Sequence, residues 1–319
     1  MRDLNAPNPD IILENDSQEL KKYYINFQPI PKTLNRLISN FDDDGVPLNN
    51  AYIDVKSPKL HYYPISIGQY GLSIFHAYLV KKEEEHKEHF LRIADWFLKN
   101  GINDKKLGTY WLTDVDKPEF NVYKPWKSAF TQSRALSILL RAWQITNNEG
   151  YLETAKKALI PYEFHTTEGG VKVSSDNTDV IYEEYVAEQP TRILDGAIFS
   201  LYGLYDAVRV MKGVDNKTYE KAHSLFEQGV KGLSHWLPKY DMGYWVYYNR
   251  CEIKNYPAND PCTIGYLKLV VGQLLILHSI TNQNVFKEYS NLFNSYLMPT
   301  NILRMYIEKY KALKKLNRL

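Results

Sequence analysis

Apolar residues recur along most of the chain at the spacing of an α-helix. The first such stretch follows Pro64, a residue favoured in the first turn of a helix, and places apolar side chains at i, i+3, i+4, i+7 and i+8 over residues 67–78. A second stretch, over residues 90–97, has the same period and ends near Gly101, which is typical of a helix C-terminus. The pattern therefore predicts two consecutive helices with a short connection.

The same two-helix unit is predicted three more times. Pro125 precedes the second pair, and the polar residues 147–150 form its turn. The three pairs are residues 126–145 with 151–162, residues 193–211 with 219–237, and residues 264–280 with 285–297. A basic helix from Asn301 closes the chain, and its cations are predicted to lie on a solvated face, namely Lys309, Lys311, Lys314, Lys315 and Arg318. Each pair is too apolar to stand alone, so we expect the four hairpins to pack together.

Short β-like segments rich in Gly, Tyr and Trp lie between the helix pairs, at residues 169–173, 180–185 and 243–248. The expected fold is mostly α, an (α/α) toroid or barrel of about four helical hairpins with short β-hairpins at its mouth. Residues 1–60 are expected to be an irregular N-terminal segment that packs on the barrel, and residues 61–319 to form the barrel domain. A left-open solenoid of helix pairs is the competing architecture, but its repeats would resemble one another more closely.

The composition narrows the class of protein. The chain has 319 residues, and 39 Lys and Arg against 37 Asp and Glu give a net charge of +2, which leaves no electrostatic footprint for nucleic acid or an anionic membrane. The N-terminus is polar, no stretch approaches the roughly 20 uninterrupted apolar residues of a membrane span, and Cys251 and Cys262 lack metal-ligand spacing. We expect a cytoplasmic protein with no nucleic-acid partner, no membrane partner and no cofactor. The 26 tyrosines suit an aromatic core and also clefts that bind sugars.

Ordered motifs run through most of the chain. They are HYYPISIGQYGLS at residues 61–73, a WKSA-initiated helix over residues 126–142, YEEY at 182–185, LDG at 194–196, SLYGLYD at 200–206, LPKYD at 237–241, and Tyr247 with Arg250. In this order and spacing, over about residues 60–295, the chain resembles the heparosan/heparan sulfate D-glucuronyl C5-epimerases. Animal members insert a β-rich domain after the first motif, so this chain resembles a minimal, helical-domain form.

The resemblance implies inversion of C5 of D-glucuronate to L-iduronate within an acidic, heparosan-like polysaccharide. A C5 proton is removed and returned on the opposite face, so the site needs a base, an acid and a group that stabilises the carboxylate in the transition state. No metal or nicotinamide is required. The dimeric animal members make a homodimer a reasonable expectation.

The resemblance also implies the catalytic residues Glu184, Tyr185, Tyr247 and Tyr266, with Arg250 binding the uronate carboxylate. Glu184 is expected to be the base on one face, and burial must raise its pKa from the ordinary value of about 4.3. Tyr266 is expected to donate or accept the proton on the other face. Tyr185 and Tyr247 would hydrogen-bond the sugar or assist the transfer.

Four further polar residues are predicted to bind substrate. Gln69, Gln132 and Arg134 interrupt apolar helix faces near the mouth, although backbone groups often satisfy such buried side chains. Arg192 is either a substrate-carboxylate contact or a helix-start residue paired with Asp195. The chain has Asp195 where the family has Asn, and it lacks the histidines that follow Tyr266 in the family, which alters that face of the site.

Two rival functions remain open at this point. A uronan polysaccharide lyase begins with the same abstraction of the C5 proton and then expels the O4 substituent. A non-catalytic glycan-binding homologue would retain the fold and lack the chemistry, and the altered surroundings of Tyr266 keep that alternative open.

Overall fold

Nine α-helices dominate the part of the chain that the computed structural model describes, which comprises residues 3–14, 16–27, 38–50, 59–176 and 178–319. They are α1 (Pro64–Lys81), α2 (Glu84–Asn100), α3 (Ala129–Thr146), α4 (Glu149–Ala158), α5 (Leu194–Met211), α6 (Asn216–Tyr240), α7 (Ile264–Thr281), α8 (Asn284–Ser295) and α9 (Pro299–Lys315).

The first eight helices form four hairpins that follow one another in space as they do in sequence. Helices α1, α3, α5 and α7 are inner helices, and each contacts the next along the chain. Helices α2, α4, α6 and α8 are outer helices, and each packs on the inner helix that precedes it. This arrangement confirms the predicted mostly α class and its (α/α) array of helical hairpins.

The burial of the helices explains which of them are inner. Every residue from 129 to 142 of α3 is buried, so this helix is surrounded by protein on all sides. In outer helix α2 only Phe90, Ile93, Ala94 and Phe97 are buried, and their i, i+3, i+4, i+7 spacing forms a single stripe. Inner helix α7 has a mean hydropathy of 1.5, which by length and composition would suffice to cross a bilayer, and 44% of it is buried.

Helix α3 begins later than its apolar pattern predicts. Trp126 lies in an extended segment bridged to Thr113, and its indole N–H donates to the carbonyl of Val115 (2.8 Å). Ser128 caps the helix, because its hydroxyl oxygen accepts a hydrogen bond from the amide of Thr131 (3.1 Å). The cap leaves Trp126 and Lys127 outside the helix, close to the cavity described below.

Three small antiparallel sheets complete the fold within the described ranges. The first joins β1 (Ile38–Phe41), β2 (Pro47–Asn49) and β3 (His61–Tyr62) in that order, so pairing crosses the predicted boundary at residue 60. The others pair β4 (Ile102–Asp104) with β5 (Gly108–Tyr110), and β6 (Lys172–Val173) with β7 (Ile181–Tyr182). Within the predicted N-terminal segment, residues 1–2, 15, 28–37 and 51–58 lie outside the described residues.

The N-terminal residues that the structure describes reach into the core of the helical array. The hydroxyl of Tyr24 donates to Asp206 of α5 (2.7 Å), which also pairs with Arg141 of α3 (2.7 Å) in a fully buried ion pair. The backbone amide of Tyr23 donates to Nε2 of His76 (2.6 Å). Burial lowers the pKa of His76 to about 3, so its ring is neutral and can accept this bond.

Candidate active site

A cavity of about 720 Å³ lies at the N-terminal ends of the four inner helices. Each of these helices contributes residues from its first two turns: Ile65, Ser66 and Gln69 of α1, Phe130 of α3, Asp195 and Phe199 of α5, and Tyr266 and Leu269 of α7. Helix N-termini carry partial positive charge, so four of them around one cavity favour an anionic ligand.

The other walls come from loops and from the C-terminal helix. The loops contribute Tyr63, Lys117, Glu119, Glu184, Tyr185, Tyr248 and Thr263, the C-terminal part of the chain contributes Lys309, Leu313, Asn317, Arg318 and Leu319, and the N-terminal part contributes Phe27 and Ile38. The cavity therefore combines three carboxyl groups, three cations and four tyrosines. Such a set can bind an anionic sugar and move protons.

Glu184 enters the cavity because it follows a β-strand whose side chains alternate. Its neighbour Glu183 points the other way, where its carboxylate accepts hydrogen bonds from the amides of Thr191 (2.9 Å) and Arg192 (3.1 Å). The side chain of Glu184 is 6% exposed, and its Oε2 has no hydrogen-bond partner among the described residues. Burial raises the pKa of Glu184 to about 7, although a hydrogen bond from Tyr185 and the charge of Lys117 oppose this rise.

Asp195 is a second buried carboxyl of the cavity, in the first turn of α5. Burial raises its pKa well above the usual range, and the nearby charge of Glu184 raises it further. Gly196 follows it directly, and a Cβ at this position would lie 2.1 Å from Oε2 of Glu184. The absence of a side chain at Gly196 is what allows the Glu184 carboxylate to lie against the start of α5.

Lys117 brings a buried cation next to Tyr185. Its Nζ lies 3.0 Å from Oε1 of Glu119 and 4.4 Å from the centre of the Tyr185 ring. A tight turn places it there, since Lys117 and Val122 exchange backbone hydrogen bonds around the 3₁₀ segment Pro118–Phe120. Arg318 reaches the same carboxylate of Glu119 (3.3 Å). Lys117 and Arg318 therefore concentrate positive charge in one wall.

Tyr266 and Tyr248 form an aromatic pair on another wall. Their ring centres are 5.3 Å apart in an edge-to-face arrangement, and Tyr266 is 41% exposed. Lys309 of α9 lies 5.3 Å from the centre of the Tyr248 ring and 2.7 Å from the buried carboxylate of Asp260. Burial raises the pKa of Tyr248 well above its usual range. In the wall that these two tyrosines form, Tyr266 is therefore partly accessible to solvent.

Tyr247 and Arg250 are not among the residues that line this cavity. Tyr247 belongs to an extended segment bridged to Pro261, and successive side chains of such a segment point to opposite sides. Tyr248 consequently faces the cavity, whereas the Tyr247 hydroxyl donates to the side-chain oxygen of Asn259 (3.2 Å). The Arg250 guanidinium lies 4.4 Å from the centre of the Tyr247 ring. Their predicted roles at the substrate stay predictions.

Besides Arg250, four residues were predicted to bind substrate, and of these Gln69 lines the cavity while Gln132, Arg134 and Arg192 do not. The Gln132 amide donates to the carbonyls of Thr109 and Ala158, both at 2.9 Å. The guanidinium of Arg192 pairs with Glu252 and lies 4.3 Å from the centre of the Trp236 ring.

Arg134 is fully buried directly behind the cavity wall. Its guanidinium lies 4.5 Å from the centre of the Phe199 ring and 4.7 Å from that of Phe130, and both of these rings line the cavity. Its positive charge therefore acts on the cavity through an aromatic layer.

The lining residues that were not predicted for the site include Lys117, Glu119, Tyr248, Lys309 and Arg318. The prediction that Lys309 and Arg318 lie on a solvated face is wrong, because they pair with Asp260 and Glu119 at the cavity. The alternation along residues 243–248 contained the signal for Tyr248, since only one of two successive tyrosines can face a given side. Lys117 and Glu119 pair with each other across a tight turn, whereas Lys309 and Arg318 pair with carboxylates far away in the sequence. Helical periodicity reveals neither kind of contact. In the described ranges, no group of three or more His, Cys, Asp or Glu side chains is arranged to hold a metal ion.

One family model and two related sequences match large parts of the chain. The family described as D-glucuronyl C5-epimerase C-terminus matches residues 105–295. The chain is 31% identical over 195 residues to a D-glucuronyl C5-epimerase of Caenorhabditis elegans, covering 58% of this chain and 31% of that protein. It is 25% identical over 248 residues to an uncharacterized protein of Methanocaldococcus jannaschii, covering 71% of this chain and 74% of the other. The chain thus spans about a third of the length of the nematode enzyme.

Solved structures of low sequence identity also align with the fold. An unsaturated glucuronyl hydrolase from Bacillus sp. GL1 aligns with a TM-score of 0.48 at 16% identity, covering 73% of this chain and 61% of that one. An α-mannanase of Bacteroides thetaiotaomicron aligns with a TM-score of 0.43 at 14% identity, covering 80% and 62%.

Proposed function

The chain belongs to the D-glucuronyl C5-epimerase C-terminus family, and we propose that it inverts C5 of D-glucuronate to L-iduronate within a heparosan-like polysaccharide. One observation carries the proposal. The family's YEEY motif delivers the Glu184 carboxyl into a cavity that four helix N-termini and three cations make favourable for an anion. The substrate is therefore expected to be an acidic glycan whose uronate carboxylate enters this cavity.

Glu184 supports the first step, the removal of the C5 proton. A general base works best when its pKa is near the working pH, and burial raises the pKa of Glu184 to about 7. Its Oε2 has no hydrogen-bond partner in the described part of the chain, which leaves a lone pair available for the incoming proton. The C5–H electron pair passes into the sugar, and the carboxylate becomes a carboxylic acid.

Tyr266 is the candidate for the return of a proton on the other face. It comes from α7, a different element from the one that carries Glu184, and its partial exposure allows exchange with solvent. Its hydroxyl donates a proton to C5, and the resulting tyrosinate regains one from water. Tyr185 and Tyr248 line the same cavity and are suited to bind sugar hydroxyls.

The negative charge that develops on the uronate carboxylate needs a positive environment. Lys117, Lys309 and Arg318 are the cations that line the cavity among the described residues, and Arg134 lies behind two of its aromatic rings. Preorganised charges of this kind stabilise an enediolate without reorganisation during the reaction. Arg250 retains its predicted role only if a bound chain extends to the neighbouring Tyr247 loop.

Incubation with a panel of uronans in D₂O tests the proposal. Epimerisation incorporates deuterium at C5 without cleaving the chain, and iduronate appears in the product. Failure to exchange hydrogen with any uronan would refute the proposal. An ultraviolet-absorbing unsaturated uronate would identify a lyase, and binding without exchange would identify a glycan-binding homologue.

A further inference from the structure

The cavity contains a buried carboxyl that proton abstraction by Glu184 does not use. We propose that Asp195 is a second functional carboxyl, which keeps a proton while Glu184 is ionised, so that the two groups titrate as a pair. Both side chains line the same cavity, and both are only 6% exposed. Asp195 does not accept the C5 proton, and its charge state acts on Glu184 and on the bound uronate.

The Glu184 carboxyl lies against the residue that follows Asp195. Oε2 of Glu184 lies so near Gly196, the residue after Asp195, that even a methyl group at that position would overlap it. Both supporting segments are fixed. The carbonyl of Asp195 accepts a hydrogen bond from Gln273 of α7 (3.0 Å), and Glu183 anchors the other segment through Thr191. The two segments that carry these carboxyl groups are therefore held in place.

Two adjacent buried carboxylates cannot both ionise near neutrality unless cations compensate them. The cations of the cavity already have carboxylate partners, since Lys117 and Arg318 contact Glu119 and Lys309 contacts Asp260. The charged and titratable groups that face the pair from the surrounding elements are Lys117, Glu119, Glu183, Tyr185, Tyr240, Tyr248, Cys262, Tyr266, Lys309 and Arg318. The pair consequently retains one proton, and Asp195 is the site that holds it.

The consequence for turnover rests on the proposed function. With Asp195 neutral, one negative charge instead of two faces the anionic uronate, and Glu184 remains free to accept the C5 proton. When Asp195 loses its proton at higher pH, the second charge repels both the substrate and the carbanion. We therefore expect exchange to increase as Glu184 ionises and to decrease again as Asp195 ionises.

The isosteric variant Asp195→Asn tests the pair through the pH profile. The variant should keep the rise in exchange rate near pH 7, because that rise follows the ionisation of Glu184 and Asp195 is neutral in this range. The variant should lose the part of the alkaline decrease in exchange rate that Asp195 causes. Its rate should therefore exceed that of the wild type by about tenfold for each pH unit above the pKa of Asp195. Profiles of identical shape for the two proteins would overturn the proposal.

Infrared spectroscopy tests the pair without turnover. At mildly alkaline pH the wild-type protein should show the C=O stretch of a protonated carboxyl that shifts in D₂O. Asp195→Asn should remove this band, and Glu183→Gln, which changes the other buried carboxyl nearby, should leave it in place. Absence of the band from the wild type would refute the pair even if the variants fail to fold. Absence of C5 exchange in the presence of the band would refute the proposed function alone.

Discussion

The carboxylate of Glu184 occupies the space that a side chain at Gly196 would need. A Cβ at Gly196 would lie 2.1 Å from Oε2 of Glu184 and 2.6 Å from its Cβ. Helix α5, which contains Gly196, is held between α3 and α6, so the glutamate segment would have to move instead. The position of the proposed base therefore depends on the absence of one side chain on a neighbouring helix.

Gly196→Ala should displace Glu184 and reduce C5 hydrogen exchange by about 100-fold, because a misplacement of about 1 Å has that effect on positioned catalytic groups. Overpacking should also lower the free energy of unfolding by about 1–3 kcal/mol. Exchange kinetics and thermal unfolding measure the two effects. Gly265→Ala is the matched control, since its nearest neighbouring atoms would lie 3.5 Å away. An active Gly196→Ala protein would contradict this account of the base.

The two adjacent glutamates should respond differently to the same substitution. Glu184→Gln removes the proposed base and should lower exchange by about 10²–10⁴-fold while glycan binding persists. Glu183→Gln disturbs the hydrogen bonds to Thr191 and Arg192, so it should lower stability by about 1–3 kcal/mol and retain exchange in the folded protein. Exchange assays and calorimetry distinguish them. Equal losses of exchange in two stable proteins would argue against the assignment.

The sequence was sufficient for the helical hairpins, because local signals control them, whereas Glu184 was predicted from the resemblance of the YEEY motif. Helical periodicity, prolines and glycines locate α1 to α8, and strand alternation after β7 sends one glutamate of the YEEY motif inward. In the Gly-Tyr-Trp segment, Tyr248 lines the cavity and Tyr247 does not, and the role that the resemblance implies for Tyr247 stays a prediction. Lys117 and Arg318 could not be predicted, since their places depend on a tight turn and on an ion pair with Glu119 across distant segments.

Stability should fall as the pH rises through the range in which Glu184 ionises. The folded state raises the pKa of this group from 4.5 to about 7, so between these values the folded protein binds more protons than the unfolded chain. This difference lowers the free energy of unfolding by about 3 kcal/mol across the window. Carboxyls with lowered pKa, such as Asp179 at about 2, titrate below it.

Denaturant unfolding of wild type and Glu184→Gln at a series of pH values measures this contribution. The decrease between about pH 4.5 and 7 should be smaller in the variant by about 3 kcal/mol, since glutamine does not titrate. Glu183 remains in both proteins, and Asp195 has a lower pKa in the variant because the charge of Glu184, which raises it, is gone. Parallel stability curves would mean that Glu184 has an ordinary pKa and is not buried as described.

Lys117→Gln should weaken the stabilisation of the negative charge that develops on the substrate, and should also hinder the ionisation of Glu184. Loss of a cation at a developing negative charge reduces kcat by about 10²–10³-fold. Because Lys117 lowers the pKa of Glu184, its removal should also move the acidic limb of the pH profile to higher pH. Lys127→Gln is the control, since Lys127 donates to the Gly169 carbonyl and does not line the cavity. An unchanged acidic limb of the pH profile in Lys117→Gln would show that this lysine does not influence the ionisation of Glu184.

The end of the chain should contribute to binding, although it lies beyond the matched residues 105–295. Arg318, which follows helix α9, lines the cavity and pairs with Glu119, whereas Arg304 of α9 stacks on Tyr244 and does not line the cavity. Arg318→Gln should raise KM for the acidic polymer several-fold with a smaller change in kcat, and should weaken the dependence of binding on salt because one cation is lost. Arg304→Gln should leave both unchanged. Steady-state kinetics at two ionic strengths check this, and equal behaviour of the two variants would exclude the C-terminal segment from the site.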